Sequence, residues 1–454
     1  MNPTAQHWQD RLSALAEKHG IVGASLAIAH GDQEFSAATG VLNLRTAQPV
    51  TPDSLFQIGS ITKVWTATLA MQLVDDGLLD LDAPVVRYLP AFRIADAEIS
   101  ASVTTRQLLT HTSGIDGDLF IDTGRGDDAL EKYVAEMAQL TRAVPPQALM
   151  SYCNSGYNLL GHLIALLRGK PWEQVLQERL LKPLGLDSAG TLPEEALLYG
   201  TAAGHLQPPG AAQASVTPQW GLYRSAGPAG LIHSTAAHQL AFARLHLNDG
   251  IAADGTRLLS AASARAMRIA QIEIPDRWLL GSHMGLGWML NRWGDEAVYG
   301  HDGATLGQNA FLRVLPGATL AICLLVNGGR AVRALYHELF SEIAMALAGV
   351  APPPLPRARR GLSIDPARFV GRYLREGLEV VIQQSAEGLT LTQTPKALLG
   401  IVTPTTTLPL AAYDDDILLA LPPGQDYGTP VVFFDLGGKR YMHFAARTAA
   451  RADD

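Results

Sequence analysis

Apolar positions recur at helical spacing from Trp8 to Leu15 among polar neighbours and stop at Gly20, predicting an amphipathic helix over residues 4–19. The pattern then shortens to alternation: residues 22–28 and 34–41, joined by His30-Gly31-Asp32, predict a β-hairpin. After polar turns, Val64, Ala67, Leu69, Ala70, Leu73 and Val74 return to helical spacing and end at Asp75-Asp76-Gly77. This run predicts a buried helix, with Ser60 at its opening. Further helices are predicted over residues 105–111, around Leu159, Leu160, Leu163, Ile164 and Leu167, over 172–181, and from the Ser234-Thr235 cap through Leu245. From Gly285 the pattern turns to strands, at 289–290, 298–299, 311–315 and 320–326, before a last helix over 331–350. Helices at both ends and in the middle, with antiparallel strands gathered near the two termini, predict an α+β domain over residues 1–350.

Ala351-Pro352-Pro353-Pro354-Leu355-Pro356 opens a Pro/Arg-rich stretch, 351–361, that reads as a stiff, extended linker. Beyond it, apolar runs at 369–373, 378–383, 389–393, 417–421, 431–434 and 441–444 stand at hairpin spacing. They predict a small all-β barrel over residues 362–454. No fixed-period repeat runs through the chain.

Bulk properties narrow the classes. With 454 residues, two domains are expected. A hydrophobic fraction of 47% against 17% charged residues is that of a globular chain with a large core. The net charge of −8 argues against nucleic acid or an anionic membrane surface as a partner. The polar start of the chain lacks the apolar core of a secretion signal, and no apolar run is long enough for a bilayer span, so a cytoplasmic location is expected. Cys153 and Cys323 are too few for a disulfide scaffold. The 13 histidines show no metal-ligand spacing, and no metal or cofactor is expected.

Against that background Ser60 and Lys63 stand out. Three residues apart on a helix, they share a face, and a desolvated lysine can take the proton that makes a serine nucleophilic. Taken alone, the pair reads first as an N-cap serine followed by a surface lysine, because such pairs are common. His111 reads as a helix-end histidine bonding nearby carbonyls, and Cys153 as a small buried filler.

Two further motifs follow in order: Tyr152-Cys153-Asn154 and His301-Asp302-Gly303. Around them lie Leu108-Leu109-Thr110-His111-Thr112-Ser113-Gly114, Gly156-Tyr157 with Leu159-Leu160-Gly161, Pro183-Leu184-Gly185-Leu186 and Gly285-Leu286-Gly287-Trp288. In this set and order, over most of residues 10–340, the chain resembles the serine β-lactamase and penicillin-binding-protein superfamily. The likeness is to the class C β-lactamase-like branch, which also holds D-aminopeptidases, DD-peptidases, esterases and penicillin-binding-protein-type thioesterases. The resemblance implies a β-lactamase/transpeptidase-like domain, an antiparallel sheet flanked by helices plus an all-helical region. It implies that Ser60 is acylated, that Lys63 and Tyr152 manage its protons, and that Asn154 bridges Lys63 to the substrate's acyl-side amide. Which of Lys63 and Tyr152 takes the first proton stays open. A lowered pKa is expected for Tyr152 if it is the base. The backbone N–H groups of Ser60 and Ala304 would form the oxyanion hole, with Gly303 giving the substrate close access to a strand edge.

His301 departs from the lysine that dedicated class C β-lactamases carry there, and a neutral imidazole is a poor fixed cation. The H-x-G form resembles the peptidases and esterases of the branch. Some relatives of that form carry a lipocalin-like barrel after the catalytic domain, and Phe369-Val370-Gly371-Arg372-Tyr373 resembles such a barrel's opening strand. Arg447, late in the last strand, is a candidate for holding a substrate carboxylate. The resemblance therefore implies a serine hydrolase of amides or esters, on a small molecule or peptide with a D-residue on the acyl side. Three alternatives accompany it: a thioesterase that macrocyclises a nonribosomal peptide delivered by a peptidyl carrier protein, a weak β-lactamase, and a non-catalytic structural or sensor member.

Overall fold

The computed structural model describes residues 4–208, 211–359, 361–362, 364–396, 404–422, 425 and 427–452. Arg360 of the predicted linker and the last two residues of the predicted barrel lie outside them.

Helix α1 (Ala5–His19) starts at Thr4, whose hydroxyl accepts from the His7 N–H, and stops at Gly20 with φ +64°. A hairpin follows, β1 (Gly23–His30) and β2 (Gln33–Gly40). Helix α2 (Thr62–Asp75) and helix α3 (Asn154–Arg168) form the centre of the helical region, beside α4 (Ala236–Leu247). The chain then returns as strands β3 (Ile272–Glu273), β4 (His283–Met284), β5 (Met289–Trp293), β6 (Glu296–Ala304), β7 (Asn309–Leu315) and β8 (Leu320–Val326). Together with the hairpin they build an antiparallel sheet in the order β2-β1-β8-β7-β6-β5-β4-β3, and helix α5 (Val332–Ala348) completes the domain.

Strand alternation explains why this sheet is covered on both faces. On β8, Leu320, Ile322, Leu324 and Val326 pack with Trp8, Leu12 and Leu15 of α1 and Leu339, Phe340 and Ile343 of α5. Ala321, Cys323 and Leu325 point the other way, into the larger core of the helical region. Each leucine or isoleucine buried this way contributes about 1.5–3 kcal/mol.

Helix α2 lies inside that larger core. Every residue from Thr62 to Leu73 is buried, polar ones included. Its polar side chains find internal partners: the Thr66 hydroxyl donates to the Pro228 carbonyl at 2.8 Å and the Gln72 amide to the Leu258 carbonyl at 2.8 Å. A lysine in the first turn of such a helix is removed from water by its surroundings. The predicted helix over 172–181 is α only over Trp172–Leu176 and widens to π-helix over Gln177–Leu181.

After α5 ends at Gly349, residues 351–359 form no helix or regular strand. The Arg359 N–H donates to the Ala412 carbonyl at 2.9 Å, and its guanidinium lies 5.0 Å from the Tyr413 ring, so this stretch runs along the C-terminal unit. That unit is a nearly closed eight-stranded antiparallel barrel of consecutive neighbours. Its strands are β9 (Gly371–Arg375), β10 (Leu378–Ser385), β11 (Gly388–Pro395), β12 (Thr406–Asp414), β13 (Ile417–Ala420), β14 (Thr429–Leu436), β15 (Lys439–Phe444) and β16 (Arg447–Ala450). First and last strands meet where Tyr373 bridges Arg451 and the Ala452 N–H donates to the Arg372 carbonyl at 2.7 Å. Phe369, Tyr373, Ile382, Leu391, Leu418, Val431, Phe433 and Phe444 fill its interior. Strands β12 and β16 correspond to no apolar run in the sequence reading. Pro409 and partly exposed residues along β12 hide its period, and β16 is four residues long and begins with an arginine.

Candidate active site

Gly59, with φ +51°, turns the chain into a single 3₁₀ turn (Gly59–Ile61) that delivers Ser60 to the start of α2. Lys63 follows one turn later. Its Nζ lies 3.1 Å from Ser60 Oγ, 2.7 Å from Asn154 Oδ1 and 2.7 Å from the Ala229 carbonyl oxygen. Lys63 is fully buried, and its pKa is held well below the ordinary lysine value. Desolvation is the main cause and the Arg447 cation adds to it, against a smaller upward pull from Asp118.

A protonated amine has three donors and a neutral one has two donors and a lone pair. Two of the three oxygens on Nζ are an amide and a peptide carbonyl, which can only accept. Protonated, Lys63 donates to all three oxygens; when neutral, it donates to Asn154 and Ala229 and can turn its lone pair to the Ser60 hydroxyl proton.

Tyr152 comes from the extended segment before α3. Its ring has Lys63 Nζ 4.8 Å from the centroid and the Arg447 guanidinium carbon at 4.7 Å. The hydroxyl is buried and makes no hydrogen bond among the described residues, although Ser60 is near enough to pull its pKa down. Burial outweighs Ser60 and Arg447, so the phenol is raised above its usual value. This reverses the expectation of a lowered pKa: the Arg447 cation beside the ring does not compensate for the loss of water. Beneath the ring, His111 stacks at 4.2 Å between centroids. With φ +58°, its ring bonds no carbonyl among the described residues; its Nδ1 accepts from the Cys153 N–H at 3.1 Å, and burial lowers its pKa and favours the neutral ring. Cys153 Sγ caps α3 by accepting from the Gly156 N–H at 3.2 Å, and burial pushes its thiol up to about 12, where it is no nucleophile.

The third motif lies on β6. Strand β5 pairs with β6 only over residues 296–300, so His301 to Ala304 present, on that side, an edge with no partner strand among the described residues. Side-chain space at Gly303 is absent: a Cβ there would fall 1.8 Å from the Ile58 carbonyl oxygen and 3.1 Å from Ser60 N. A Cβ on Gly59 would fall 2.5 Å from Ala304 N. These two contacts bring the backbone nitrogens of Ser60 and Ala304 together at one end of the edge. His301 is fully buried, and its Nδ1–H donates to the Asp302 carbonyl at 2.6 Å. Burial, aided by Lys63, lowers its pKa to about 3, so the ring is neutral and its Nε2, which has no partner among the described residues, is an acceptor.

Asn154 binds in both directions. Its Oδ1 accepts from Lys63, and its Nδ2 donates to Asp118 Oδ1 at 2.7 Å. Asp118 is a buried carboxylate in an irregular loop, and no sequence motif marked it. It also receives Arg447, through Nε at 2.9 Å and Nη2 at 3.1 Å, and Arg375, through Nη1 at 2.8 Å. Both arginines belong to the barrel. Arg447, considered above for a substrate carboxylate, thus has a protein carboxylate as its partner. The turn between β15 and β16, with Ala445 and Ala446 at φ +50° and +67°, carries it to the cleft. There the Tyr152 N–H donates to the Ala446 carbonyl at 2.9 Å and the Thr448 N–H to Ser151 Oγ at 3.1 Å.

Among the described residues, no group of three or more His, Cys, Asp or Glu is placed to hold a metal ion, and no helix is long and apolar enough to cross a membrane.

Comparison with known proteins bears on the family and the fold. The sequence profile described as "Beta-lactamase" matches residues 8–339. A protein described as penicillin-binding protein 4, from Amycolatopsis lactamdurans, is 46% identical over 379 residues, covering 82% of this chain and 98% of its own length. Among solved structures, SurE superposes with a TM-score of 0.79 at 29% identity and covers 99% of both chains; it has also been solved with D-Leu. D-amino acid amidase from Ochrobactrum anthropi SV3 superposes with a TM-score of 0.57 at 26% identity, over 71% of this chain and 93% of its own.

Proposed function

This chain belongs to the β-lactamase family of serine hydrolases, and from that premise we propose that it cleaves amide or ester bonds through an acyl-Ser60 intermediate whose acyl residue has the D configuration. The observation that carries the reading is the buried Lys63 amine, 3.1 Å from Ser60 Oγ with acceptor-only partners on its other two sides. Burial and Arg447 hold the pKa of this amine well below the ordinary value, which favours the neutral form that takes the Ser60 proton as the oxygen attacks the carbonyl. The Ser60 and Ala304 N–H groups stabilise the oxyanion. Tyr152, kept a neutral phenol by burial, donates its proton to the leaving group and recovers one from Lys63. Water then repeats the sequence on the acyl-enzyme.

A non-catalytic role is disfavoured by the same lysine, because a purely structural buried amine calls for a carboxylate partner. Efficient β-lactam hydrolysis is disfavoured by His301: a ring held neutral supplies no fixed cation for a β-lactam carboxylate. The D preference is supported by the likeness to SurE, solved with D-Leu, and to a D-amino acid amidase.

A second reading, peptide macrocyclisation from a carrier-bound thioester, is favoured by the barrel turn packed on Tyr152. A cleft closed on that side holds less water, which helps an amine compete for the acyl-enzyme.

A panel of peptide thioesters and esters ending in a D- or L-residue, with benzylpenicillin as a further substrate, tests these readings. The expected kcat/KM favours the D series by about tenfold or more, with penicillin slowest. Equal or reversed preference removes the D assignment. Free acid as the product supports hydrolysis, and macrocycle the second reading.

A further inference from the structure

We propose that Asp118, clamped by Arg375 and Arg447 from the C-terminal barrel, is the positioning residue that orients Asn154 and through it Lys63, which makes the barrel a working part of the active site. The proposal rests on the reading of Lys63 as the base.

Its basis is a continuous chain of short contacts that crosses from one unit to the other. Arg375 and Arg447 reach Asp118 from 257 and 329 positions away in sequence. Asp118 takes Asn154 Nδ2 at 2.7 Å, Asn154 Oδ1 takes Lys63 Nζ at 2.7 Å, and Nζ lies 3.1 Å from Ser60 Oγ. Four donor contacts converge on one carboxylate whose side chain is 8% exposed, which fills its lone-pair capacity. An amide can turn over and exchange its oxygen and nitrogen. Asp118 removes that freedom, because a carboxylate can only accept from Nδ2 and so leaves Oδ1 toward Lys63.

Two like cations cannot lie side by side in a buried site without such a counter-charge, so the pair of arginines in turn holds Asp118 ionised. Arg447 also covers the Tyr152 ring, and the peptide next to it binds the Tyr152 backbone. A contact made only to fasten two domains has no reason to end on the amide that holds the catalytic lysine.

The cluster also sets the local charge. Asp118 pulls Lys63 and Tyr152 toward protonation and Arg447 pulls both away from it. The other titratable or charged groups facing this site are Asp302, ion-paired to Arg313 and Arg333; His111 and His301, both neutral by burial; the Cys153 thiol; and Asp116, whose carboxyl burial raises to about 6. Buried His443 faces the arginines as well; Arg447 holds His111 and His443 further from protonation, and Asp118 raises Cys153 and Asp116.

The test uses the full chain and a pH profile of kcat/KM on an activated ester with a D-residue. D118N removes a negative charge and moves the ascending limb to lower pH; R447Q removes a positive one and moves it to higher pH, each by about one pH unit. R447K keeps the charge but loses the fork, so its limb stays with wild type while kcat/KM falls by about tenfold. If D118N does not fold, R375Q takes its place, with a limb displaced upward by less than that of R447Q. Limbs that stay at the wild-type pH in folded variants overturn the proposal and leave a structural clamp only. A wild-type protein without Ser60-dependent turnover overturns the acyl-serine reading itself, and the proposal with it.

Discussion

Replacing Lys63 by methionine lowers kcat/KM on an activated ester by about 10²–10⁴-fold, the range lost with a general base, while the protein stays folded. Methionine has nearly the length of the lysine stem and suits a buried helix face. The substitution leaves Asn154 Oδ1 and the Ala229 carbonyl short of a donor, at a cost of about 1–3 kcal/mol each. Against that, it removes a fully buried amine whose desolvation is unfavourable. The two effects oppose each other, so the melting temperature moves little compared with the rate. In the wild type, the acid limb of kcat/KM lies well below the ordinary lysine pKa of about 10.4, because burial and Arg447 favour the neutral amine. Steady-state kinetics with a thermal melt on the same sample checks both parts. Activity within tenfold of wild type contradicts the role given to Lys63.

Gly303→Ala lowers kcat by about 10²–10³, the effect of losing one oxyanion donor. The added methyl would stand 1.8 Å from the Ile58 carbonyl oxygen, so the strand and the turn bearing Ser60 must separate. Separation pulls the Ser60 and Ala304 nitrogens out of their common position. Binding is less affected than chemistry, because the oxyanion forms only in the transition state. Kinetics should therefore show kcat falling with KM within a few-fold; a loss confined to KM contradicts the oxyanion assignment.

Much of this site could be read in the chain because its parts are local. Ser60 and Lys63 sit one turn apart on a helix whose apolar spacing is plain, and Tyr152 and Asn154 flank the start of another. Gly303 is legible once its strand edge is placed beside Ser60. Asp118 and Arg375 were not legible, because neither belongs to a periodic run or motif and their partners lie hundreds of positions away. Only the packed structure brings them together. The state of Tyr152 is hidden from the sequence for a related reason: the depth of its burial depends on the barrel turn that covers it. In the barrel itself, the six apolar runs fall on strands, and the two remaining strands lack the period-2 signal that would mark them.

The central claim is that one hydroxyl, Ser60 Oγ, carries the acyl group. Intact-protein mass spectrometry after exposure to a fluorophosphonate, followed by peptide mapping, tests it directly. The account predicts a single adduct on Ser60, formed quickly in the wild type, slowly in K63M and not at all in Ser60→Ala. A folded wild-type protein that stays unlabelled, or an adduct that maps to another residue, contradicts it.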